Sequence, residues 1–357
     1  MKRIIGIDVA RALAVIGMII VNFKIVLGAQ GDPWLKNITR LFDGKAAATF
    51  VVLAGIGLAL TTRTALKNKD VSKLNAAKRS ILKRAIFLFI IGLSYGWIWP
   101  ADILHFYGVY MLLTLLFIHR EPSQLLVVTI VMILLFPVAL TFWDYETGWN
   151  FKTLEYHGFW TWEGFLTNLF YNGFHPVIPW SAFMFFGLWY GRQSLYDHEF
   201  VKRSLWVSLL VFIVVQVVSM VLIQWLSGGD PQAATALESL LGTAPMPPMP
   251  IYMLNGISIA IVIVSSCILL ARRYENSPIV RALEKTGQLA LTFYVAHVVI
   301  GMGVIEGISP VKLGAYSTRF SLAYALLFSL CCILFANVWL KHKKMGPVEW
   351  IMRKVTG

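Results

Sequence analysis

The chain has 357 residues, of which 58% are hydrophobic and only 14% charged, with a mean hydropathy of +0.70. That composition excludes an ordinary soluble domain and indicates a membrane protein of many spans. The formal charge of +13 would suit a nucleic-acid binder, but its distribution along the chain excludes that reading too, as set out below.

Ten apolar segments are long enough to read as membrane helices: residues 5–27, 46–62, 81–98, 103–118, 124–143, 176–195, 205–226, 251–271, 288–306 and 320–340. The expected fold class is therefore an all-α polytopic bundle, with residues 1–357 as a single transmembrane domain. The opening MKR followed by an apolar run has the form of a signal peptide. Asp8 and Arg11 interrupt that run, and its length suits a retained first span. An even number of spans puts both termini on one side. If that side is the cytoplasm, 23 of the 31 lysines and arginines fall on inner segments and six on outer ones: Lys36, Arg40, Lys45, Lys152, Lys312 and Arg319. The charge is thus an orientation signal.

In the first span Asp8 and Arg11 are three residues apart, so they share a helix face and can pair. Asn22 and Lys24 lie near its outer end, where Lys24 is expected to snorkel to the surface. The inner loop of residues 63–84 carries eight basic residues, with Lys2 and Arg3 expected on the same side of the membrane. Arg79, Lys83 and Arg84 suit either anionic lipid headgroups or a phosphorylated cytoplasmic ligand.

Between the third and fourth spans runs GLSYGWIWPADILHFYG. Asp102 is placed to cap the fourth span, and His105 follows on the same face, as a base oriented by a carboxylate would. A histidine that only satisfies a buried site has the same spacing. The outer loop of residues 144–175 is rich in aromatic residues, which read as interface anchors or as an acceptor surface, and it ends at His175. After a second outer loop ending in APMPPMP, an extended connector, His297 falls near the middle of the ninth span. The cysteines, Cys267, Cys331 and Cys332, lie in apolar runs without metal-ligand spacing, so no metal is expected.

The order IDVARALAVIGMIIVNF, LFDGKAAATFVVLAGIGLAL, ADILHFYGVYMLL, KTGQLALTFYVAH and KMGPVEWIMRKVTG resembles, from end to end, the bacterial YeiB-like integral membrane family. That family is similar to the lysosomal heparan-α-glucosaminide N-acetyltransferase, and more distantly to membrane acyltransferases of bacterial polysaccharides. The resemblance implies a bacterial inner-membrane enzyme. It would move an acyl group, acetyl above all, from cytoplasmic acyl-CoA to a hydroxyl or amine of an extracytoplasmic glycan, sugar or lipid. Acyl-CoA is then a substrate rather than a tightly bound cofactor. The partners are membrane lipids, acyl-CoA and the acceptor, with a homodimer as the oligomeric option and no nucleic acid.

Asp8 and Arg11 match the family's acid and arginine and, with Arg79, Lys83 and Arg84, are the expected donor-side residues. Where many polysaccharide acyltransferases carry a histidine, this chain has Asn22, which has no titratable proton near neutral pH. The following outer loop has no histidine either, but offers Asp32 and Asp43. His105 with Asp102 is therefore the expected base and His175 its rival. Asn22, Asp43, Lys45 and His297 are expected on the acceptor side. The alternative is a transporter or exporter of a small polar or lipid-linked solute, with the same buried groups as its pathway.

Overall fold

The computed structural model describes residues 3–96, 98–151, 153–308 and 314–357. Lys2, Lys152 and Lys312 of the charge pattern lie outside them. Each of the ten apolar segments forms a helix: α1 Ile5–Leu27, α2 Lys45–Lys67, α3 Val71–Ser94, α4 Leu104–Phe117, α5 Pro122–Leu140, α6 Val177–Gly191, α7 His198–Ser227, α8 Pro250–Arg273, α9 Ala290–Ile308 and α10 Thr318–His342. Among the described residues, seven helices are long and apolar enough to cross a membrane. They are α1, α2 continued from Pro33, α5 and α7–α10. Helices α4 and α6 are shorter, and the first half of α3 is charged. The chain is an all-α, multi-pass membrane bundle. The only β-sheet among the described residues is a hairpin, β1 Trp149–Asn150 with β2 Glu155–Tyr156.

Without water to solvate the backbone, helices are held together by close packing. At the crossing of α2 and α6, a side chain on Gly55 would strike the Met184 carbonyl, and one on Gly187 would strike the Val52 carbonyl. Helix α1 is the central element, packed on α2, α8, α10 and the short amphipathic helix Pro278–Gln288. By contrast α7 is exposed along most of its length and apolar on nearly every side, as a lipid-facing helix must be.

The start of α1, the C-terminal helix Pro347–Thr356 and the basic segment 63–84 gather at one end of the bundle. Gly6 abuts Ile268, and Lys83 Nζ lies beside Gly357. At the other end the segment after α1 is tied to the start of α10, through Gln30 with Ser317 and Asp32 with Arg319.

The outer loops are folded rather than extended. The described residues between Trp149 and Asn172 form the hairpin, a short helix Trp162–Thr167 and a turn of π-helix, all closed over the buried Asn172. The Asn172 side-chain amide donates to the carbonyls of Tyr145 and Thr147, and its side-chain oxygen accepts from the Tyr156 hydroxyl. Trp160 and Trp162 remain exposed, while Trp149 packs on Phe174 and donates its indole N–H to the Asn172 carbonyl. In the second loop Pro231–Leu241 is helical, and residues 244–249 form the irregular connector.

Candidate functional site

Asp102 is completely buried just before α4, and four donors converge on it. Oδ1 accepts from the hydroxyls of Tyr95 (2.8 Å) and Tyr294 (3.1 Å). Oδ2 accepts from the backbone N–H of His105 and from its ring Nδ1, both at 3.2 Å. One carboxylate thus both closes the first turn of α4 and contacts the His105 imidazole. A neutral imidazole that gives its Nδ1–H to the carboxylate would carry its lone pair on Nε2, and Nε2 is buried with no hydrogen-bond partner. Helix α3 comes this close because Gly92 has no side chain: a Cβ there would strike the His105 amide and the Asp102 carboxylate.

The residues on either side of Asp102 face three different cavities. Ala101 and Ile103 line an outer cavity of about 250 Å3 with Asn22, His175 and Tyr294. Leu104 lines an inner cavity of about 340 Å3 with Arg11, Arg84, Tyr107, Gln288 and Glu349. His105 lines a third, of about 520 Å3, beneath the outer hairpin with Glu155, His157, Phe159 and Trp160. Phe50, on the inner cavity, stacks on Tyr294, on the outer one, with centroids 6.1 Å apart; this pair forms a partition between the two.

Asp8 is buried and bonds both Arg11 Nη1 and Arg3 Nε at 2.5 Å. Arg3 is an unforeseen second partner. Arg11 also reaches the inner cavity, where Arg84 Nε is buried without a hydrogen-bond partner. Arg79 and Lys83 are exposed on the other face of α3 and line no cavity described above, so the structure does not bring these three basic residues together.

Lys24 does not snorkel. It forms an ion pair with Asp43 at 2.5 Å, which pins the end of α1 to the segment before α2. Lys45, half-buried, begins α2 next to that pair. Asp32 is bound by Arg319. Asn22 donates to His297 Nε2 at 2.8 Å, which places these two expected acceptor-side residues together. His297 is buried, opens a π-helical stretch of α9 and lies edge-on to Tyr294 at 5.0 Å. His175 stacks edge-on against Trp180 at 4.6 Å, its backbone carbonyl taking the Tyr110 hydroxyl. Phe106 lies between it and His105.

Tyr95 and Tyr294 were not picked out from the sequence. Tyr294 carried a usable signal, being three residues before His297 and so on the same helix face. The GPVEW run of the C-terminal segment, residues 346–350, also resolves into contacts. The Glu349 carboxylate accepts the Thr292 backbone N–H at 3.0 Å and the Thr292 hydroxyl, closing the first turn of α9. Gly346 is needed because a Cβ there would strike that carboxylate. Glu349 stands on the terminal helix, and its burial pushes its carboxyl above the usual glutamate range.

A family model described as "Heparan-alpha-glucosaminide N-acetyltransferase, catalytic" matches residues 3–227, and one described as "Protein of unknown function (DUF418)" matches residues 191–357. The chain is 23% identical over 415 residues to the uncharacterized protein YxaH of Bacillus subtilis (strain 168), an alignment covering 99% of this chain and 94% of the relative. These matches bear out the resemblance to the YeiB-like family and to the lysosomal N-acetyltransferase.

Proposed function

The chain belongs to the heparan-α-glucosaminide N-acetyltransferase catalytic family, and from that premise we propose that it transfers an acyl group, acetyl in the first instance, across a bacterial cytoplasmic membrane. The donor is cytoplasmic acyl-CoA, and the acceptor is a hydroxyl or amine of an extracytoplasmic sugar, glycan or lipid. The observation that carries this reading is that Ile103, Leu104 and His105 line three separate cavities around one buried carboxylate. A bilayer's hydrocarbon core is about 30 Å thick, so a donor and an acceptor confined to opposite sides have to meet within the protein.

In this reading the acyl-pantetheine arm enters the inner cavity beside Arg11 and Arg84 and displaces the Phe50–Tyr294 partition. The acceptor arrives from the outer side through the cavity beneath the hairpin, which His105 lines, while Asn22, Asp43, Lys45 and His297 support the wall of the outer cavity that adjoins it at Phe174. His105 Nε2 takes the acceptor's proton as its oxygen or nitrogen attacks the thioester carbonyl. The tetrahedral adduct collapses with cleavage of the C–S bond, and the CoA thiolate leaves with a proton returned from His105. Asp102 holds the ring in the required tautomer and offsets its charge while it is protonated.

The test is release of CoA from acetyl-CoA by membranes containing the chain. His105→Ala should lower turnover by roughly 10²- to 10⁴-fold with CoA affinity retained. Asp102→Asn should do less damage. Full activity of His105→Ala with loss in His175→Ala would transfer the role to His175. Absence of CoA binding by the wild-type protein would reject acyl transfer altogether.

A further inference from the structure

Beside the mouth of the inner cavity runs a groove of about 470 Å3 between the helix Pro278–Gln288 and the end of α10. Its walls carry Arg281, Glu284, Lys285, Lys343 and Lys344 over an apolar patch at Leu340. Arg281 is held by Glu284 at 3.1 Å and by Glu275 at 3.8 Å. No ion pair engages Lys285, Lys343 or Lys344 among the described residues. The groove therefore presents a net positive charge in which three ammonium groups are unneutralised.

Gln288 lines both this groove and the inner cavity, so the two compartments adjoin at that residue. The inner cavity lies at the small end of ligand pockets, which run from about 300 to 1,000 Å3. It suits a slender, uncharged arm with one polar end. An occupant spanning both compartments needs several negative charges at one end, a flat apolar ring for Leu340, and a narrow chain leading inward past Gln288.

We infer that this groove is the binding site for the phosphorylated nucleotide half of the acyl-CoA donor, with Lys285, Lys343 and Lys344 on its phosphates and the purine against Leu340. The inference rests on the acyl-CoA reading above. It assigns the phosphates to residues other than Arg79 and Lys83, which line neither compartment. Lysine ammonium groups bind phosphate as point charges and also attract anionic lipid headgroups, so the test has to separate the two sources.

The measurement is equilibrium binding of CoA, 3′-dephospho-CoA and pantetheine to the purified full-length chain in neutral detergent, together with retention on vesicles containing an anionic lipid. The variant is the triple substitution Lys285→Gln, Lys343→Gln and Lys344→Gln. Its Kd for CoA should rise by about tenfold or more, with pantetheine binding unchanged, and the wild type should prefer CoA to its dephospho form. Unchanged pantetheine binding also shows that the variant is folded. The single variants Lys343→Gln and Lys344→Gln, at exposed positions, should each show part of the effect. Equal CoA affinity in wild type and triple variant would overturn the inference while leaving acyl transfer standing. Equal CoA affinity with lost vesicle retention would assign the lysines to lipid. Failure of the wild type to bind either CoA or pantetheine would instead reject the acyl-CoA reading itself.

Discussion

Asn22 Nδ2 donates to His297 Nε2 at 2.8 Å, joining the first and ninth membrane helices across 275 residues of sequence. The bond uses the imidazole's lone pair, so His297 in this state is occupied as an acceptor, whereas Nε2 of His105 has no hydrogen-bond partner. The asparagine of the first span is therefore tied to a histidine on another helix.

Asn22→Leu would leave His297 Nε2 buried without a donor. We expect a loss of about 1 kcal/mol in stability, the scale of a single interhelical hydrogen bond in a membrane bundle, read as a lower Tm in detergent. An unchanged Tm in this variant would show that the pair does not hold the two helices together.

Gly92→Ala drives a methyl group into the His105 amide and the Asp102 carboxylate. Overpacking of this kind costs about 1–3 kcal/mol, and the dyad should be displaced as well, so Tm and turnover should fall together. Gly303→Ala, in open space on α9 and lining none of the cavities, is the matched control and should change neither.

Glu349 predicts a pH dependence. Its pKa is raised in the folded protein by burial, so the folded state holds a proton that the unfolded state releases. Its contribution is most favourable below the usual glutamate range. That contribution is lost as pH climbs through the raised value, and it is constant above. Thermal unfolding across this window should show the decline in the wild type and not in Glu349→Gln. Matching profiles would remove Glu349 as its source.

The basic cluster predicts orientation. Asn68, at the end of α2 among the lysines and arginines of residues 63–84, belongs on the cytoplasmic side. A thiol introduced by Asn68→Cys should be protected from an impermeant maleimide in intact cells and modified after lysis. Modification in intact cells would invert the topology.

What the sequence determined by itself is whatever depends on neighbours along one helix or on bulk composition. Ten apolar runs had to become helices, because a bilayer leaves their backbone groups no other partners. The i,i+3 spacing put Asp8 against Arg11 and Asp102 against His105, since helical periodicity brings such residues to one face. Only the tertiary structure decided which faces meet. It brought Tyr95 and Tyr294 to Asp102, paired Lys24 with Asp43, and carried Glu349 back to Thr292. It also turned Arg84 into a cavity while leaving Arg79 and Lys83 outside. Helical period assigns a side chain to a direction around its own axis. The neighbour found in that direction is set by how glycine-lined helices fit against one another, which no local spacing encodes.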